Sequence, residues 1–157
     1  MYAPSGILGR QIQRGGNLRG NSGRRCNLIE GKCSVIEIFR VRVSEALAMG
    51  VKAGIDPNVM LEAIQAGTGR NAATDLVIPT SVLPRSFDFG ASIEILLKDV
   101  NLALEEGEKQ GVPQFVCQQT RQMLLLAAHK GWNQRDVSEW FKLVEEWAGI
   151  EIRSSDK

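Results

Sequence analysis

Few residues in this chain are equipped for chemistry, and the pair that stands out is Lys98-Asp99, set among Ile95, Leu96, Leu97 and Val100. An ammonium in such company is costly unless it is paired, loses its proton, or snorkels to water on its own methylene stem. Lys98 therefore either reaches a functional pocket or ends at a carboxylate or in solvent. The single histidine, His129, stands just before Gly131, where a helix dipole favours a cation without any catalytic role. Cys26, Cys33 and Cys117 are too few and too scattered for a disulfide framework. With one histidine they do not make up the four N/S ligands of a structural zinc site, so no metal is expected. No G-x-G-x-x-G lies between a strand and a helix, and there is no G-x-x-x-x-G-K-[ST], so neither common phosphate cradle is present. Trp140 and Trp147 share a helix face, which fits core or interface packing.

The elements that must position these residues fall into two regions. Residues 1–32 form a Gly/Arg-rich arm: the first 31 contain seven glycines and Arg10, Arg14, Arg19, Arg24 and Arg25 against Glu30 alone. Such a stretch has little apolar surface to offset its conformational entropy and reads as irregular or flexible. Its charge would suit phosphate contacts, but apart from Tyr2 it has no ring on which a base could stack, so nucleic acid is only an alternative partner. From residue 33 to 153 the pattern is helical, and 154–157 is a polar tail. Val35, Ile36, Phe39, Val43, Ala46, Leu47 and Gly50 predict a first long amphipathic helix ended by Gly54. Asp56-Pro57 predicts an N-cap and first helical position, and Gly67-Thr-Gly69 a stop. Residues 70–88, with Pro79 and Pro84, predict a short helix and a loop. Further helices are predicted from Phe89 or Ser92 to Gln110, over about 114–129, and from Asp136 to Trp147. The fold class is all-α, with about six helices and one long central helix. The apolar residues of 93–104 face many directions, which implies a central position or a subunit contact. No apolar run reaches the ~18 residues of a membrane helix and no secretory leader is evident. The expected location is the cytoplasm.

Ser44-Glu45-Ala46-Leu47, Gly54-Ile55-Asp56-Pro57, Leu97-Lys98-Asp99-Val100 and Gly111-Val112-Pro113 follow in this order and spacing. From about Phe39 to Arg153 the chain thereby resembles the C-terminal all-α domain of the β-hydroxyacid dehydrogenases. This group includes 3-hydroxyisobutyrate dehydrogenase, tartronate semialdehyde reductase and, more distantly, 6-phosphogluconate dehydrogenase. The resemblance implies a helical domain that shapes a substrate site, builds a dimer and works beside a Rossmann domain holding NAD or NADP. It places Lys98 near the nicotinamide end of the cofactor and Asn71 at the border of the substrate pocket.

The chain also departs from that pattern. The family's catalytic lysine, sixteen residues before the glutamate matched by Glu45, corresponds to Ile29, which has no acid–base capacity. The family asparagine three residues on corresponds to Lys32, the one catalytic candidate, which would act from a neighbouring helix face. Where the family has an aromatic seven residues before Lys98 this chain has Ala91, with Phe89 two positions away. The expectation is a self-associating helical domain, a homodimer or larger, that is not catalytic and holds no cofactor in isolation. The alternative is the helical part of an NAD- or NADP-dependent dehydrogenase completed by a separate dinucleotide-binding chain.

Overall fold

The computed structural model describes the backbone of residues 22–154 and the side chains of residues 35–154. The described residues form six helices and no strand. They are α1 (Ser22–Lys52), α2 (Pro57–Ala66), a π-wound α3 (Ala73–Val82), α4 (Ile93–Lys109), α5 (Phe115–His129) and α6 (Trp140–Ala148). A 3-10 turn, Val137–Glu139, leads into α6. α1 is the axis of the bundle, packing against every other helix, and α4 lies between α1 and α5.

The stops and starts follow local chemistry. Asp56 Oδ1 accepts the N–H groups of Asn58 (2.8 Å) and Val59 (3.3 Å), with Pro57 at the first helical position. Ser92 caps α4 by accepting from the Ile95 N–H at 3.3 Å. Gly149 closes α6 in the left-handed region at φ 64°, where a side chain would be strained. The segment expected to be a short helix and a loop is a ten-residue π-helix followed by a loop. Pro79 lies inside it, and the N–H of Leu83 reaches the Ile78 carbonyl at 2.9 Å, five residues back.

Two expectations are corrected. α1 begins at Ser22 rather than near residue 33, so the last part of the proposed irregular arm has helical backbone. Gly23 and Gly31 each weaken a helix by roughly 1 kcal/mol, but extending a helix that tertiary packing has already nucleated is far easier than starting one. The rest of the arm and residues 155–157 lie outside the described residues. The second correction is the phase of α1. Val35 and Phe39, expected to face inward, are exposed, whereas Glu37, Arg40 and Ser44 are buried with Val41, Leu47 and Ala48.

The core gathers Leu47, Ile78, Ile93, Leu124, Trp140, Phe141 and Leu143, each almost fully buried. Trp140 and Trp147 meet edge to face, 6.3 Å between centroids at 84°, as their shared face suggested. Trp140 is core, and its Nε1 donates to Ser44 Oγ at 3.3 Å. α4 is less uniformly buried than expected. Ile93, Leu96, Val100 and Leu104 face inward, while Ile95 and Leu102 are exposed. No helix among the described residues is long and apolar enough to cross a membrane.

Candidate functional site

The buried face of α1 runs through Glu37, Arg40, Val41, Ser44, Leu47 and Ala48, the three- and four-residue spacing of one helix side. Its later members, packed against α4 and α6, set the helix rotation, and the earlier turns inherit it. Two charged side chains are thus carried inside, Glu37 5% and Arg40 4% exposed. Arg40 Nη1 lies 3.4 Å from Glu37 Oε2, and the guanidinium carbon stands 5.6 Å from the centre of the Phe89 ring. Arg40 Nε and Nη1 have no hydrogen-bond partner among the described residues.

Burial dominates the electrostatics of this pair. It pushes the Glu37 carboxyl up from 4.5 to about 7; Arg40 pulls the other way and Asp99, facing it from α4, adds to the rise. Burial also lowers Arg40, opposed by the negative charges of Glu37 and Asp136. Asp136 behaves differently. Burial would raise it, but hydrogen bonds from the Ser138 hydroxyl, the Ser138 N–H (2.8 Å) and the Gly90 N–H (2.7 Å) hold the carboxyl below its ordinary 3.8.

Asp136 is also a mechanical junction. It starts the turn into α6 and grips the Gly90–Ala91 backbone, while Val137 N–H donates to Ala91 O (2.7 Å) and Ile93 N–H to Arg135 O (3.0 Å). The start of α4 is thereby tied to the entry of α6. Lys98 lies further along α4, on its exposed side. Its Nζ is 3.0 Å from Asp99 Oδ1, and its side chain is 63% exposed. Of the two readings open for Lys98, the structure supplies the second: a stem ending at a carboxylate in reach of water.

Asn71 is occupied as a cap for α3. Its Oδ1 accepts from Ala73 N (2.8 Å) and Thr74 N (3.3 Å), and its Nδ2 donates to Gly69 O (2.6 Å). Among the described residues no hydrogen bond or ion pair joins Asn71 to Lys98. Lys32 and Ile29 lie on the backbone of α1, but their side chains are outside the described residues. Phe89, two positions from where an aromatic was sought, supplies the ring over Arg40. Glu37 and Arg40 were not among the candidates. Their only sequence signal is an opposite-charge pair three residues apart, which usually marks a solvated face. His129 ends α5 in its last turn, and no cluster of metal ligands occurs among the described residues.

The described residues do not by themselves fit a dinucleotide. None of them forms a strand leading through a glycine turn to a helix N-terminus, and so none cradles a pyrophosphate. Lys98 offers one exposed ammonium of the sort that could face a cofactor held elsewhere.

An all-α bundle on one long helix, presenting a carboxylate-held lysine on α4, defines the class: a helical domain of dehydrogenase type. The chain belongs to the family described as NAD-binding of NADP-dependent 3-hydroxyisobutyrate dehydrogenase, whose model matches residues 34–144. It is 29% identical over 110 residues to 2-(hydroxymethyl)glutarate dehydrogenase of Eubacterium barkeri, covering 70% of this chain and 36% of that protein. It is 28% identical over 138 residues to a probable mitochondrial 3-hydroxyisobutyrate dehydrogenase of Dictyostelium discoideum, covering 83% and 41%. Its fold matches 3-hydroxyisobutyrate dehydrogenase of Salmonella typhimurium with a TM-score of 0.60 and 19% identity, over 73% of this chain and 40% of that one. The chain thus spans about two fifths of the length of these relatives.

Proposed function

We propose that this chain is the C-terminal-type helical domain of a β-hydroxyacid dehydrogenase, acting on a small hydroxy acid together with a domain that holds NAD or NADP. The observation that carries the reading is Lys98, a cation kept at the surface of α4 by Asp99 at 3.0 Å inside a bundle of this family. The substrates named for the two relatives share one unit, a CH2OH carbon next to a CH that bears a carboxylate. An acid of that type is the proposed substrate class, and oxidation of its alcohol to the semialdehyde is the proposed reaction. The nicotinamide would take the hydride. What this chain contributes is the wall opposite it and a positive charge suited to an anionic or electron-rich neighbour.

The test is reconstitution. The full chain is combined with the separately folded dinucleotide-binding domain of a relative, and NADPH oxidation is followed with a small β-semialdehyde acid. Turnover by the mixture and by neither part alone, reduced strongly by Lys98→Ala, is expected. No turnover with both parts folded and associated would sink the proposal.

A second reading is a helical domain that self-associates and catalyses nothing. It is favoured by the exposed apolar Val35 and Phe39 on α1 and by Ile29 at the position of the family's catalytic lysine.

A further inference from the structure

The end of α1 and the last helix leave an open apolar groove of about 530 Å3, floored by Ala48, Val144 and Ala148. Its walls carry two large apolar side chains that the fold leaves in water, Met49 at 69% exposure and Trp147 at 50%. Glu45 and Lys52 line the same groove.

The order of these residues along α1 matters. Glu45, Met49 and Lys52 follow at spacings of four and three, so they share one helix face, and seven residues separate the two charges by about 10 Å. The acid precedes Met49 by one turn and the base follows it by one turn. A two-fold axis beside Met49 therefore sets α1 antiparallel to its copy, Glu45 opposite Lys52 of the copy and Lys52 opposite Glu45 of the copy. This is the self-complementarity an isologous dimer requires. Met49 then acts as both knob and wall, entering the partner's groove against Trp147 while lining its own. Glu45 also faces Arg42 at 3.6 Å, and Lys52 donates to the Ala148 carbonyl. Each group still has donors or acceptors to spare, since an ammonium has three N–H and a carboxylate two oxygens.

We propose that the α1–α6 groove is a contact with a second copy of this chain, centred on Met49 and Trp147 and registered by reciprocal Glu45–Lys52 pairs. The contact is distinct from the α4 surface that presents Lys98 and does not depend on any cofactor. Its failure would leave the dehydrogenase reading untouched, and the converse holds.

The experiment is a charge swap on the full chain, read by sedimentation equilibrium at low ionic strength. Each variant is first checked for its fold by circular dichroism and melting temperature. The wild type is expected to dimerise. Glu45→Lys alone sets two ammonium groups together at both ends of the contact, and Lys52→Glu alone sets two carboxylates together there. Each should weaken dimerisation roughly tenfold or more. Mixing the two single variants leaves one end with two ammonium groups removed from its like-charged partner in neither chain alone, because each variant chain then meets the opposite charge of the other. A heterodimer should therefore form where neither variant dimerises well. Met49→Glu should abolish association. A wild type monomeric at ~100 µM, a dimer insensitive to the swaps, or a mixture that fails to pair would each overturn the proposal, and recovery in the mixture cannot arise from misfolding.

Discussion

The buried Glu37 makes a measurable demand on how stability varies with pH. Its carboxyl binds a proton more tightly in the folded chain than in the unfolded one, at about 7 against 4.5. A raised carboxyl means that its full contribution to stability is present below about pH 4.5 and is lost as the pH rises through 7. At 1.36 kcal/mol per unit, the loss between those limits is about 3 kcal/mol. Glu37 is nearly fully buried, so solvent screening reduces this little. Glu37→Gln keeps the size and neutral polarity of the protonated form and cannot lose the proton. Urea unfolding of the two chains from pH 4.5 to 8 should show the wild type losing about 3 kcal/mol relative to the variant, with most of the change between pH 5 and 7. For a chain of this size that corresponds to a melting-temperature difference of roughly 6–12 °C. The carbon-13 shift of the Glu37 carboxyl should titrate near 7 in the same samples. Two stability curves that run parallel across this range, or a carboxyl that titrates near 4.5, would refute the reasoning.

Three further outcomes follow from the same geometry. Replacing Arg40 alone with Met should destabilise by about 3 kcal/mol near pH 8 by leaving the Glu37 charge buried without its partner, whereas Glu37→Leu with Arg40→Met should be neutral or stabilising, as measured by urea unfolding. Asp136→Ala should cost about 2 kcal/mol at pH 7 through the lost bonds to Gly90 and Ser138. Because the Asp136 carboxyl is depressed in the fold, that difference should persist above pH 4 and shrink as the pH falls through its folded value, which unfolding at pH 3 would reveal. Ser44→Ala removes the acceptor of the buried Trp140 N–H; a loss of about 1–2 kcal/mol and a changed tryptophan emission are expected.

Much of the helical order was legible because its signals are local. Asp56 before Pro57, Ser92 before Ile93, and the glycines at 54, 111, 131 and 149 act through backbone geometry and hydrogen bonds a few residues long, so neighbouring sequence is enough to read them. The π-winding of α3 was not legible. Its residues support a helix of some kind, and the width of the turn is decided by what packs around Val77, Ile78 and Val82.

The candidate site divides in the same way. Lys98-Asp99 was conspicuous as a charge pair in an apolar run, and the structure joins the two directly. Asn71 was placed by resemblance, and it spends its side chain on the first turn of α3. The two ion pairs of α1 make the limit plain. Glu37 with Arg40 and Arg42 with Glu45 are each an acid and an arginine three residues apart on one helix. The first pair is buried at 3.4 Å and the second is exposed at 3.6 Å. Nothing local distinguishes them, since spacing, charge and helix propensity are alike. The sequence by itself determined which segments are helical, where most of them stop, and the order of motifs that ties the chain to its family. Tertiary structure alone decided the rotation of α1, because a helix turns as a rigid body and takes its phase from the packing of Val41, Leu47 and Ala48 against α4 and α6. That rotation put Glu37 and Arg40 in the core and left Met49 in water.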